Sequence, residues 1–204
     1  MEGAMDRTIL VVDDNRRLVD LLRTILEMEG YIVHAAYSGD ECLAYLDRER
    51  PGLILLDIVM SPMDGWTVLE RIRERPGTGK TRVIMLTARH PTRKEAEKYA
   101  ALIDGYILKP FDVRNLLESI RRAFAEQERL EGVIRSAHEK GTKRSFLAEY
   151  CRLSRIVNAQ EALRALLSPG PGQGEGEEES DEARKLATMK QIIQQVVGIP
   201  GLDE

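Results

Sequence analysis

The sequence predicts a three-layer α/β fold, in which a five-stranded parallel sheet is covered by helices on both faces, followed by an all-helical extension. Two observations predict the sheet. Five short apolar runs, "TILVV", "YIVHAA", "LILL", "RVIML" and "GYIL", recur between Thr8 and Leu108. They are nearly continuous rather than alternating, the pattern of strands buried on both faces. Helical patterns lie between them, as in a succession of βα units. The third observation predicts the extension: after Asp112 the strand signals cease and apolar residues keep helical spacing.

The first strand, "TILVV", leads into a helix whose Leu18, Leu21, Leu22, Ile25 and Leu26 recur three and four residues apart, and which Gly30 stops. "YIVHAA" is the second strand and "LILL" the third; the helix after the third carries Trp66, Leu69 and Ile72. "RVIML" and "GYIL" are the fourth and fifth strands. Beyond them Val113, Leu116, Leu117, Ile120, Phe124, Leu130 and Ile134 continue one helix past the length needed to cover a sheet. "HEKGTKRS" interrupts it, and Ser145 is placed to cap a second helix bearing Phe146, Leu147, Tyr150, Leu153, Val157, Leu163 and Leu167. "SPGPGQGEGEEES" has too little apolar surface to order and reads as a flexible acidic linker. Ser180 then caps a last amphipathic helix with Leu186, Met189, Ile193 and Val196 on one stripe, ended by Gly198 and Pro200. The predicted organisation is a sheet domain over 1–125, a helical extension over 126–168 continuing the last sheet-covering helix, a linker over 169–180 and a terminal helix over 181–204.

A chain of 204 residues is long enough for one domain with a full core and something smaller. Its net charge of -4 argues against a protein that coats nucleic acid. Cys42 and Cys151 lie far apart inside helical patterns, offer no metal spacing and read as buried thiols in a reducing compartment. The start, "MEGAMDRTILVVDDN", has an apolar run too short for a signal or an anchor, so a cytoplasmic protein without membrane insertion is expected.

In a parallel sheet, ligands collect beyond the carboxyl ends of the strands, where the strand order switches direction. Here the first strand is followed by Asp13 and Asp14, the third delivers Asp57, the fourth ends in Thr87 and the fifth in Lys109, followed by Pro110. Clustered carboxylates repel one another, and a hard divalent cation with oxygen ligands, such as Mg²⁺, resolves the repulsion. One carboxylate is then free to attack a phosphoryl group as nucleophile. A hydroxyl and an ammonium neutralise the charge that develops on its oxygens.

"VVDDN", "LILLDIVMSPMDGW", "VIMLTA" and "GYILKPF" resemble, in order, the signature stretches of the receiver domain of two-component response regulators, over residues 7 to 125. The resemblance implies a flavodoxin-like sheet of order 2-1-3-4-5. It implies Asp57 as phosphoacceptor, with Mg²⁺ held by Asp13, Asp14, Asp57 and the backbone carbonyl of Val59. By the same resemblance Lys109 contacts the phosphoryl oxygens, its bond to Pro110 is cis, and Thr87 and Tyr106 form a switch pair that shifts on phosphorylation. A sensor histidine kinase is the implied donor, and the protein is no enzyme beyond its own phosphotransfer and dephosphorylation. Two features depart from the family pattern. Met60, Ser61, Pro62, Met63, Asp64, Gly65 stands where Met-Pro-x-Met-Asp-Gly is common. In the family, the places held here by Val59 and Arg89 flank the path of the hydrolytic water, and an apolar group and a long cation there predict a long phosphoryl lifetime.

Several tempting signals are discounted. "RPGTGKT" has Glu74 where a phosphate-binding loop needs Gly, and it leaves a helix to enter a strand rather than opening a helix, so it is a turn. His138 in "AHEKG" resembles a phosphotransfer histidine, but its Lys and Gly come one residue early. His34 and His90 have no ligand partners at useful spacing, and Trp66 and Tyr31 read as packing residues. A phosphohydrolase would need a general acid at Val59, which has none to offer. Residues 145 to 168 read as one helix without a basic face, so nucleic acid is not the expected partner. The expected output is another protein or a second copy of the chain. The alternative is a transcription regulator whose helical tail binds DNA in an unrecognised way, and the bland option is a hairpin that merely covers the sheet domain.

Overall fold

The computed structural model describes residues 7–89, 91–167 and 181–197. The linker, the Ser180 cap, the stop at Gly198 and Pro200, and His90 lie outside the described residues, as do the side chains of Leu163, Leu167 and Val196. Five strands, β1 (Thr8–Val12), β2 (Ile32–Ala36), β3 (Leu53–Asp57), β4 (Arg82–Thr87) and β5 (Gly105–Leu108), pair in parallel in the order β2-β1-β3-β4-β5. The helices are α1 (Arg16–Met28), α2 (Gly39–Leu46), α3 (Gly65–Glu74), α4 (Arg93–Tyr99), α5 (Val113–Glu139), α6 (Arg144–Leu167) and α7 (Asp181–Val197).

The period of two along each strand divides its side chains between two cores. Leu10, Val12, Ile54, Leu56, Val83 and Met85 face one layer with Leu43, Leu46, Val68, Leu69 and Ile72 of α2 and α3. Ile9, Val11, Leu53, Leu55, Ile84 and Leu86 face the other with Val19, Leu22 and Leu26 of α1 and Leu116, Leu117 and Ile120 of α5. Fully burying one such aliphatic side chain contributes about 1.5–3 kcal/mol, and these two faces hold the sheet in register. That register decides the site. Val12 pairs with Leu56, Asp57 with Leu86 and Thr87 with Leu108. Asp13 and Asp57 therefore emerge level with each other, with Thr87 one residue and Lys109 two residues beyond, at the same sheet edge. The chain leaves β1 to β2 on one side and to β3 on the other, so the switch in direction falls between β1 and β3.

The extension folds back on itself. α5 runs unbroken for 27 residues and stops where Gly141, at φ 85°, lets Thr142 N–H reach Ala137 O at 2.9 Å. α6 begins at Arg144, with Leu147 N–H on Lys143 O, so Ser145 lies inside the first turn and is not the cap that the sequence suggests. Leu130, Val133 and Ala137 of α5, Leu147, Tyr150 and Leu153 of α6, and Leu186, Met189 and Ile193 of α7 form a third core. The terminal helix thus docks within the chain. Cys42 is buried as expected, but Cys151 is only half-buried.

α6 then runs beside β5, an edge strand that pairs only with β4. Ala159 joins the sheet domain's own core, and Asn158 reaches Glu126 of α5 at 3.4 Å. Arg155 donates to Gly79 O at 2.7 Å and lies 3.5 Å from Asp104. Asp104 is the centre of a buried cluster: Arg82 meets it at 2.6 Å, the Val83 N–H at 2.8 Å and Arg73 at 3.7 Å. Helix cover of this kind shields the free hydrogen-bonding edge of a sheet.

Candidate functional site

Asp13 and Asp57 are 1% and 5% exposed, whereas Asp14 is exposed. One oxygen from each of the three lies within 4.8 Å of the others. Lys109 Nζ sits between two of them, 2.6 Å from Asp13 Oδ2 and 3.0 Å from Asp57 Oδ2. Local turns aim the carboxylates: Asn15 N–H donates to Asp13 Oδ1 at 2.9 Å, Val59 N–H to Asp57 Oδ1 at 3.3 Å and Ser61 N–H to Asp14 Oδ2 at 3.3 Å. Burial pushes the Asp57 carboxyl above its ordinary value; Lys109 and the Val59 N–H act against this, and Asp13 adds to it.

Three carboxylates against one ammonium leave negative charge that a hard divalent cation suits. The all-oxygen donor set, with one exposed member at the rim, fits an ion that keeps several waters. Val59 is 57% exposed at this rim.

Two loops fix the geometry. Asp64 caps α3 by accepting from Thr67 N–H at 2.8 Å, and the following Gly65 donates to Ile58 O at 2.9 Å. A Cβ on Gly65 would lie 2.1 Å from Asp57 O, so only glycine lets α3 start this close to the end of β3. On the other side, Lys109 N–H donates to Thr87 O at 2.7 Å, and the Lys109–Pro110 and Ser61–Pro62 bonds are both cis.

The remaining predicted residues are placed differently. Thr87 is fully buried, and its hydroxyl donates to Arg89 O at 2.6 Å while accepting from Arg89 N–H at 3.1 Å. Tyr106 pairs in register with Met85, two residues before Thr87, and so faces the same layer. It is 8% exposed, its ring meets Trp66 edge-on at 6.3 Å, and its hydroxyl has no hydrogen-bond partner among the described residues. Burial pushes its phenol well above the usual range.

A family model described as "Response regulator receiver domain" matches residues 9–121, more than half of the chain. The chain belongs to the response regulator receiver family. Among curated relatives, the Synechocystis sp. "DNA-binding dual master transcriptional regulator RpaA" is 34% identical over 60% of this chain and 51% of its own length. The Bacillus subtilis "Transcriptional regulatory protein ResD" is 38% identical over 59% of this chain and 49% of its own. The chain thus spans about half the length of these two relatives. A CheY-like receiver domain from Methanospirillum hungatei JF-1 superposes with a TM-score of 0.54 at 37% identity, covering 60% of this chain and 96% of that one. TrrA from Thermotoga maritima, solved in complex with Mg²⁺-BeF, superposes at 0.51 and 31% identity, covering 57% and 97%. The expected exclusion of nucleic acid gains no support from relatives that are transcriptional regulators.

The receiver reading leaves "RPGTGKT" as the turn that its context predicts. The segment leaves α3, forms one 3-10 turn over Thr78–Lys80 and enters β4. Its carbonyls accept from guanidiniums: Thr78 O and Thr81 O from Arg73, and Gly79 O from Arg155. His138 is exposed at the end of α5, beside Arg144. Among the described residues, no helix is long and apolar enough to cross a membrane.

Sequence reasoning missed Glu95 and undervalued Trp66. The Trp66 indole N–H donates to Glu95 Oε1 at 3.0 Å, and its ring stacks on Tyr99 at 4.2 Å. The capping-box spacing of Thr92 and Glu95 in "TRKE" was the available signal.

Proposed function

We propose that this receiver accepts a phosphoryl group on Asp57 from a sensor histidine kinase in the cytoplasm and passes the change to its helical tail. The observation that carries the proposal is the convergence of Lys109, Asp13 and Asp14 on the buried Asp57. An Asp57 carboxylate oxygen attacks the phosphorus of a phosphohistidine. The O–P bond forms as the P–N bond breaks, and the departing imidazole nitrogen keeps that bond's electron pair. Lys109, already 3.0 Å from Asp57, neutralises charge on the transferred group. Thr87 supplies a hydroxyl donor once it leaves Arg89, and Tyr106 is its switch partner. Asp13, Asp14, Asp57 and the Val59 carbonyl are the proposed ligands of Mg²⁺, which when bound offsets the carboxylate charge and polarises the phosphoryl oxygens.

Acetyl phosphate with Mg²⁺ tests this. The wild type should gain one phosphoryl group by intact mass, and Asp57→Asn none. Labelling of both, or of neither, would end the proposal. The exposed apolar Val59, and a long cation in Arg89 two residues after Thr87, are the basis for slow hydrolysis, with a phosphoryl half-life well beyond seconds.

The output proposed for 126–168 and the terminal helix is contact with another protein or a second copy. Because α5 continues from the receiver into the third core, beryllofluoride with Mg²⁺ should alter hydrogen exchange over residues 113–138. A second reading, binding of DNA by the tail, is favoured by the transcriptional regulators among the relatives. A gel shift at physiological salt separates the two.

A further inference from the structure

Glu95 takes no part in the phosphotransfer described above, yet its carboxylate is a hub. It accepts from both terminal nitrogens of Arg89 at 2.8 and 2.5 Å, from Trp66 at 3.0 Å, and from the Thr92 N–H and hydroxyl at 2.8 Å each. Glu95 N–H returns a bond to the Thr92 hydroxyl at 3.3 Å, which closes a capping box at the start of α4. The hydrogen bond to Arg89, foremost, and those to Thr92 hold its carboxyl down to about 2, so Glu95 is anionic at any working pH. One carboxylate thus joins the β4–α4 loop, the α4 start and α3.

Its partner Arg89 is also the residue that occupies Thr87. A threonine hydroxyl has one proton to give, and here it goes to Arg89 O. Thr87 cannot donate to a group on Asp57 until that bond is released. The backbone that accepts it belongs to the residue whose guanidinium is clamped on Glu95.

We propose that Glu95 is a positioning residue of the phosphoacceptor site: by clamping Arg89 it holds the Thr87 hydroxyl on the Arg89 backbone, and loading of Asp57 releases the clamp. The inference rests on the phosphoacceptor reading and names the contact that sets its resting state. The release is transmitted to Trp66, which shares the carboxylate and whose ring touches Tyr106.

The sole tryptophan makes the test direct, because the full-length chain gives one indole N–H resonance. Mg²⁺ and beryllofluoride are titrated into the wild type, Glu95→Gln, Arg89→Met and the double variant, and Asp57 labelling by acetyl phosphate is followed in parallel. Glutamine has a single acceptor oxygen, whereas Trp66 uses Oε1 and Thr92 uses Oε2, so Glu95→Gln removes the charge that holds Arg89 together with one of those two contacts; Arg89→Met leaves both contacts in place and isolates the clamp. Thermal melts confirm folding, and Arg89→Met, at a half-exposed side chain, gives an independent route. The wild-type indole resonance should move on loading, and the resting resonance of Arg89→Met, which keeps the Trp66 acceptor, should already lie part-way along that path. Each single variant should bind beryllofluoride about threefold to fivefold more tightly, the range for an exposed bidentate pair, and the double variant no more than either. Labelling with unchanged or weakened affinity in both variants, or additive gains in the double, overturns the clamp alone. Absence of both labelling and beryllofluoride binding in the wild type overturns the phosphoacceptor reading and the clamp with it.

Discussion

Gly65→Ala separates helix propensity from steric closure of the site. Propensity alone favours alanine within a helix by up to about 1 kcal/mol. The structure argues the opposite. A Cβ at this position would stand 2.1 Å from Asp57 O, 2.9 Å from Asp57 C and 2.9 Å from Ile58 Cα, and all three neighbours are backbone. Relief demands that the start of α3 and the end of β3 separate by about 1 Å, an overpacking strain of about 1–3 kcal/mol. The Gly65–Ile58 hydrogen bond, 2.9 Å long, is lost at about 1 kcal/mol more. The net destabilisation is about 1–4 kcal/mol, a fall in Tm of about 4–16 °C for a domain of this size. Because the displaced backbone carries Asp57, the proposed acceptor, its labelling by acetyl phosphate should slow at least about tenfold. Thermal unfolding by circular dichroism and intact-mass labelling read the two effects. A Tm at or above the wild type with an unchanged labelling rate would refute the reasoning.

Asp104→Asn should cost about 3–5 kcal/mol at neutral pH by urea unfolding, because it leaves three guanidiniums around a neutral amide. Burial raises the Asp104 carboxyl, but Arg82, Arg155 and Arg73 outweigh it and the net shift is downward. The stabilisation is therefore present above the ordinary value of 3.8 and is lost as pH falls through the lower folded value, so the gap between wild type and variant should close in acid. Arg155→Met should cost less than about 1 kcal/mol, since Arg82 and the Val83 N–H still satisfy Asp104. Burial, and next Arg155, hold Arg73 down to about 10, so removing Arg155 also relieves a like charge. The readout specific to Arg155 is faster hydrogen exchange in α6 at unchanged global stability.

The sheet was legible because a strand buried on both faces must be apolar at every position, and few other structures need a run like "LILL". The acidic edge was legible because Asp13, Asp57, Thr87 and Lys109 each follow such a run directly, and parallel strands put all those ends on one side. α2 and α4 were not individually legible: eight and seven residues give too few turns for periodicity, and α4 reads "RKEAEKY". The boundary at α6 shifted because Gly141 ends α5 early enough for Lys143 to take the flanking position.

Covalent order alone carried the strand ends, their carboxylates and the turn nature of "RPGTGKT", since each depends on residues adjacent in the chain. Which partners those residues take depends on packing between distant segments. Glu95 meets Trp66 across 29 positions, Arg155 meets Gly79 across 76 and Lys109 meets Asp13 across 96. Contacts of that span leave no local spacing to read, because only the closed sheet and its covering helices bring the two ends together.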